Sequence, residues 1–148
     1  MNIVIVGTVI EKDGKYLLVQ EAKAHCRGNW NLPAGHLDPH ESIFDGAKRE
    51  AKEECGLDVE LHQICHIINK DHGDDNLVGI LFSATPVSEE ISFSQDEILD
   101  ARWFSYEEIV AMRDRDELRD VPFVLGAIDN LRNGLVAPLE LAKYCAQK

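Results

Sequence analysis

Three glutamates, Glu50, Glu53 and Glu54, fall inside a segment that Ser42 can open and Gly56 can close as a helix. Stepping about 100° per residue from Ile43 places Phe44, Ala47, Ala51 and Cys55 on one stripe, between about 40° and 120°. Lys48, Lys52 and Asp45 fall opposite, at about 140° to 200°, and face water. Glu50, Glu53 and Glu54 land at about −20°, −80° and 20°, on and beside the core-facing edge. Carboxylates there repel one another at i,i+3 and i,i+4 spacing, and burial disfavours their ionised form. Arg49 is the one neighbouring arginine, and a single cation cannot balance three anions. A divalent metal can: hard cations such as Mg²⁺ take carboxylate oxygens, keep several waters and share themselves with substrate phosphates. On the wheel alone, the alternative is a solvated acidic face at a helix end.

The loop ahead of this helix, Leu32-Pro33-Ala34-Gly35-His36, can bring bare backbone oxygen close to an ion. Glu41, beside the cap, adds a carboxylate where the helix dipole favours one. Around these residues the chain punctuates itself clearly. Ile3–Ile10 and Lys15–Gln20 flank Asp13-Gly14 and predict a hairpin. Residues 21–41, with Gly28, Pro33, Gly35 and Pro39, predict mostly loop. Ser42 caps the helix, with Asp45 as its capping-box partner. Val59–Asn69 and Leu77–Thr85 predict strands around a turn at His72-Gly73-Asp74-Asp75, and Leu99–Phe104 a short strand. Ser105 with Glu108 caps a second helix to about Met112, and residues 113–120 predict a solvated charged surface. A last helix runs from about Pro122 to Leu131. Strands and helices interleave without repeat or linker, so residues 1–148 are expected to form a single domain of α/β (α+β) class.

The chain carries 15 Lys+Arg against 27 Asp+Glu, a net charge of −12, which argues against nucleic acid polymers and anionic membranes as partners. The opening residues lack the basic lead and apolar core of a secretory signal, and no stretch has the length of a membrane span. Cys26, Cys55, Cys65 and Cys145 show no CxxC pair and predict reduced thiols, consistent with a cytoplasmic setting. Cys65-His66 with His62 nearby is the one arrangement suggesting a soft-metal site; alternation along a strand explains it equally simply.

Gly35, five residues, Glu41, seven residues, then Arg49-Glu50-Ala51-Lys52-Glu53-Glu54-Cys55-Gly56-Leu57 resembles the Nudix box, G-x5-E-x7-R-E-U-x-E-E-x-G-U, with every specified position filled. The resemblance implies the Nudix fold, a mixed β-sheet sandwiched between α-helices. It also implies Mg²⁺-dependent hydrolysis of a diphosphate linkage in nucleoside di- or triphosphates, nucleoside diphosphates joined to another group, or related pyrophosphates. Mn²⁺ is the expected substitute metal. Carried over by position, Glu53 and Glu54 are metal ligands, and Glu50 is a ligand or the base for water. Arg49 orients the glutamates, Glu41 supports the site and the Ala34 carbonyl touches metal. Glu97 is the expected outlying ligand, with Asp96 second. Trp30-Asn31-Leu32-Pro33-Ala34-Gly35-His36-Leu37-Asp38 is similar to the NudJ-like phosphatase subgroup. A proline that marks ADP-ribose enzymes is replaced by His72, and a tyrosine that marks diadenosine polyphosphate enzymes by Gly73. Arg27 and His36 are candidates to meet phosphate. Trp30, Phe82 and Phe123 are candidates to stack on a base, though each also fits a core position. The expected partner is a small phosphorylated molecule, and homodimers are frequent in the family. Alternatives are a nucleotide-sensing module that binds without cutting, and an ADP-ribose or dinucleotide pyrophosphatase. A diphosphate isomerase on the same scaffold would need a catalytic cysteine ahead of the box, and the surroundings of Cys26 do not resemble one.

Overall fold

The computed structural model describes residues 1–148. Strands β1 (Asn2–Lys12) and β2 (Lys15–Glu21) flank Asp13 and Gly14, whose φ values of 52° and 75° make the tight turn. The expected hairpin exists only at its tip, where Glu11 pairs with Tyr16 and Lys12 with Lys15. Beyond the tip the strands part, because β1 (NIVIVGTVIEK) is apolar on both faces and serves as a central strand covered on both sides.

Three short segments fill the loop region expected over 21–41: a 3₁₀ turn at Ala24–Cys26, β3 (Trp30–Asn31) and β4 (Ala34–His36). The box helix α1 follows (Ile43–Cys55), then β5 (Val59–His72), β6 (Asp75–Pro86) and β7 (Ile98–Ser105). Helices α2 (Tyr106–Asp114) and α3 (Val121–Arg132) and the short β8 (Ala137–Pro138) complete the chain. β1 runs parallel to β6 from Asn2↔Asn76 to Ile10↔Ala84, and β4 pairs antiparallel with β1. β2 pairs with β7 and β3, while β5 joins β6 to β8.

Alternation along β1 divides the core. Val6 and Ile10 face α1, packing with Ala47, Ala51, Cys55, Leu17 and Phe82. Val9 faces the other way, with Leu18 and Leu81, against Ile109, Met112, Val124 and Ile128 of α2 and α3. The result is the mixed sheet between helices that the resemblance implied.

Local details depart from expectation in readable ways. Ser42 Oγ accepts from the Asp45 amide at 3.0 Å, but the reciprocal capping box forms on α2, where Ser105 and Glu108 exchange bonds of 3.1 and 3.0 Å. Asp45, one methylene shorter than glutamate, makes no return bond. Gly56 ends α1 at φ 76°, its amide returning to Lys52 O. The charged run 113–120 is not only solvated surface: Trp30 N donates to Glu117 O and Arg119 N to Trp30 O, both at 2.8 Å, and Leu118 is buried. All four cysteines are free, with Cys145 exposed and the others buried. His62 and His66 do not converge on Cys65: His62 meets Thr85, and His66 meets Asn130 and Pro122 O. No helix is long and apolar enough to cross a membrane.

Candidate active site

Helix α1 carries two of its three glutamates into the protein, as the wheel requires: Glu50 is 8% and Glu54 7% exposed. Glu53 does not follow them. Its side chain is 51% exposed, standing at the rim rather than the core-facing edge.

Arg49 ties these groups together. Its Nε and Nη2 grip Glu41 at 2.7 and 3.0 Å, Nη1 reaches Glu50 at 2.8 Å and Glu53 at 3.2 Å, and Nη2 also donates to His36 O at 3.0 Å. The fork on Glu41 is bidentate, whereas Glu50 and Glu53 share one nitrogen, so the Glu41 pair is the anchor and the others are exchangeable. The Arg49 guanidinium holds the Glu41 carboxyl below its usual range. Burial pushes Glu50 up against the opposing Arg49 bond, with the Glu53 and Glu97 charges adding. Burial pushes Glu54 up to about 9, the Ala34 amide opposing and the Glu21 and Glu50 charges adding.

The loop 32–36 reaches this cluster through strand register. Thr8 N donates to Pro33 O and Leu37 N to Val4 O, so the pair Gly7↔Ala34 is the non-hydrogen-bonded kind. The N–H and C=O of Ala34 therefore point away from β1; the N–H donates to Glu54 Oε1 at 2.6 Å. Gly35 is required for close approach: the three atoms nearest to a Cβ built there are Cδ and both oxygens of Glu50, all inside contact distance.

In this side-chain arrangement no three acidic, histidine or cysteine groups converge tightly enough to hold a metal ion. Arg49 draws off Glu50 and Glu53, and Ala34 N holds Glu54. The donor set nevertheless fits a hard divalent cation: carboxylates and a free-edge carbonyl, with two buried acids that Arg49 cannot neutralise alone. Thr8 Oγ1, on the α1 face of β1 beside Pro33, is the one buried side-chain polar atom without a hydrogen bond.

A cavity of about 310 Å³ opens beside Ala34, Gly35 and His36. Its other walls carry Lys23, His25, Lys70 and Arg119, with Glu21, Asn31, Asp120 and the edge of Phe123. Lys70 is paired with Asp120, while Lys23 and Arg119 have no carboxylate partner. A concentration of cations in a chain of net charge −12 marks a place for an anion. A larger open depression of about 630 Å³, over Glu11–Asp13, His62 and Thr85–Glu89, contains none of the box residues.

Two substrate candidates need correction. Trp30 is 9% exposed and packs edge-on to Phe104 at 4.9 Å in the α2/α3 core, not in the cavity. Arg27 lies outside the cavity lining and donates to Ala22 O at 3.0 Å, closing its own loop. Phe82 is fully buried. His36 does line the cavity, and Glu97, exposed, stands near enough for its charge to be felt by Glu50. Sequence reasoning missed Lys23, Lys70, Arg119 and Glu21. The available signals were a lone apolar Leu118 inside a charged run and an acid ending an otherwise buried strand.

The NUDIX domain family matches residues 1–125. The human "8-oxo-dGDP phosphatase NUDT18" is 31% identical over 142 residues, 93% of this chain but 43% of its own length. The human "NAD-capped RNA hydrolase NUDT12" is 34% identical over 107 residues, 72% of this chain and 23% of that one. The chain thus spans less than half the length of these curated relatives. Among solved structures, a NUDIX hydrolase from Nitrosomonas europaea superposes with a TM-score of 0.84 at 33% identity, covering 98% of both chains. Together with the complete box and its Arg49-centred carboxylates, this shows that the chain belongs to the NUDIX domain family.

Proposed function

We propose that residues 1–148 act as one catalytic unit that hydrolyses a diphosphate linkage in nucleoside di- or triphosphates or nucleoside diphosphates joined to another group. The reaction requires Mg²⁺, with Mn²⁺ as substitute. The observation that carries this is the juxtaposition of two buried glutamates, whose one arginine is anchored elsewhere on Glu41, with a cation-lined cavity. The activities named for the relatives, on 8-oxo-dGDP and on NAD-capped RNA, both concern nucleoside diphosphate groups and support this substrate class.

Glu50, Glu53 and Glu54, with the Ala34 carbonyl and Glu97, are the groups to hold the cation. When bound, it withdraws charge from the phosphate oxygens and eases deprotonation of a water. Lys23 and Arg119 receive the substrate's anionic end, and His36 borders it. Water attacks phosphorus, forming one P–O bond as the anhydride P–O bond breaks toward the leaving phosphate. Glu50, its carboxyl raised by burial and its carboxylate packed against Gly35, is the group to accept the water's proton. Arg49 positions Glu50 and Glu53 throughout. The buried free thiols fit a reducing, cytoplasmic setting, and light scattering of the purified protein tests for a homodimer.

The test is a substrate panel of nucleoside di- and triphosphates, sugar nucleotides, dinucleotides and thiamine pyrophosphate, assayed after EDTA treatment with and without added Mg²⁺. Phosphate, pyrophosphate and nucleotide release are read separately. Turnover that EDTA abolishes and Mg²⁺ restores, and that Glu53→Gln and Glu54→Gln each reduce severely, is expected. Chelator-resistant turnover, or near-normal activity in both variants, overturns the assignment. Tight nucleotide binding without product identifies a sensing module instead.

A further inference from the structure

Glu21 is the last residue of β2 and 6% exposed, as deeply buried as Glu50 and Glu54. Period-two alternation along β2 sets Glu21 on the face of Leu17 and Val19, which pack in the α1-side core, while the ladder irregularity leaves Leu99 of β7 unpaired. Glu21 lines the cavity wall together with Ala34 and Gly35. No cation pairs with it. Its Oε1 takes a single bond from Asn31 Nδ2 at 3.3 Å.

Its neighbours are those of the proposed cation site. Its charge is felt by Glu54. Ala22 N donates to Glu97 O at 3.1 Å, so the backbone of the outlying acid is pinned directly beside Glu21. The unpartnered Thr8 Oγ1 lies on the same α1 side of the sheet, next to Pro33. A buried carboxylate with no cation beside it is costly unless one is bound there. Arg49 has no spare donor for it, being spent on Glu41, Glu50, Glu53 and His36 O.

We propose that Glu21 is a further carboxylate ligand for the divalent cation, supplied from the strand side of the site, opposite the box helix. This rests on the cation-dependent reading above. It makes the ligand set two-sided, α1 contributing from one wall and β2 from the other, so that a bound ion bridges helix and sheet.

The experiment is a titration of the metal-free protein with Mn²⁺, counting free ion by electron paramagnetic resonance, on wild type, Glu21→Gln and Glu54→Gln. Melting temperature is read with and without Mg²⁺. Glu21→Gln is expected to weaken Mn²⁺ binding at least tenfold, or to lose one bound ion, and to shrink the Mg²⁺-induced rise in melting temperature. Its metal-free melting temperature should be no lower than wild type, because the amide oxygen still accepts from Asn31. A Glu21→Gln titration that superimposes on wild type, while Glu54→Gln is weakened, overturns this proposal and leaves the cation-dependent reading standing. If both variants superimpose on wild type, the cation-dependent reading falls and this proposal with it. Unchanged Mn²⁺ binding with an altered nucleotide preference makes Glu21 a reader of the substrate and overturns the proposal too. Should Glu21→Gln fail to fold, Glu21→Asp keeps the charge but withdraws it by one methylene. Weakened Mn²⁺ binding with wild-type melting then supports the ligand role, and wild-type Mn²⁺ binding refutes it.

Discussion

Replacing Gly35 with alanine isolates the contact that seats Glu50. Gly35 does not adopt a positive φ, so alanine meets no backbone penalty there. The added methyl instead strikes the Glu50 carboxylate, which must swing off and release its 2.8 Å bond from Arg49 Nη1. Losing a hydrogen bond between charged groups costs about 1.5–3 kcal/mol. Restricting the unfolded chain by Gly→Ala returns about 0.4–1 kcal/mol. The net loss is about 1–2 kcal/mol, a fall of roughly 3–6 °C in melting temperature for a chain of this size. In a Glu50→Ala background there is no carboxylate to strike, and the same substitution should leave melting unchanged or raise it. The coupling from this double-mutant cycle is therefore about 2 kcal/mol, read by thermal or urea denaturation of the four proteins. Equal losses in both backgrounds would refute the argument that Gly35 is there for Glu50.

Arg49→Lys keeps the charge but loses the fork on Glu41 and the reach to His36 O. Turnover should fall by about 100-fold with KM little changed, as expected of a positioning residue, and a fall confined to KM would contradict it. The Asn130 amide donates to Cys65 O, which fixes its orientation and leaves His66 Nδ1 as an acceptor, while Nε2 faces Pro122 O. Burial lowers the His66 pKa, so the folded protein binds this proton later than the unfolded chain. Its contribution to stability is full above pH 6.5, the ordinary histidine value, and is lost as pH falls below it. Denaturation midpoints of wild type and His66→Gln should diverge above that pH and converge below it. Trp30→Ala should cost about 3–5 kcal/mol of stability, whereas Trp30→Phe should leave KM unchanged. A tenfold rise in KM for Trp30→Phe would return that ring to the substrate site.

What could be read from residues alone was what is local. The helix 43–55 was legible because its period, its Ser42 cap and its Gly56 stop lie within one short window. Glu53 was misjudged as a core-edge residue because a wheel knows angle but not where the neighbouring loop ends. The long partnership of β1 with β6 was hidden behind a strong turn signal at Asp13-Gly14, which predicts a hairpin tip but not how far the pairing runs. The basic wall was invisible for a plainer reason. Lys23, Lys70 and Arg119 come from three distant stretches and meet only when the sheet is built. Glu21 falls in the stretch 21–41 expected to be loop, and its burial shows only once β2 runs one residue further and the sheet packs.

The parallel pairing of β1 with β6 also sets an order of assembly. The amino-terminal strand finds its longest partner only at residues 75–86, so its pairing closes a loop that contains the whole box helix. Contacts this distant in sequence form late and slowly compared with local ones. On a ribosome, the helix bearing the glutamates emerges well before β6, the strand that pairs along most of β1. The acidic machinery is thus made early and armed late: no nascent fragment ending before β6 holds Glu50 and Glu54 in the surroundings that give them their chemistry.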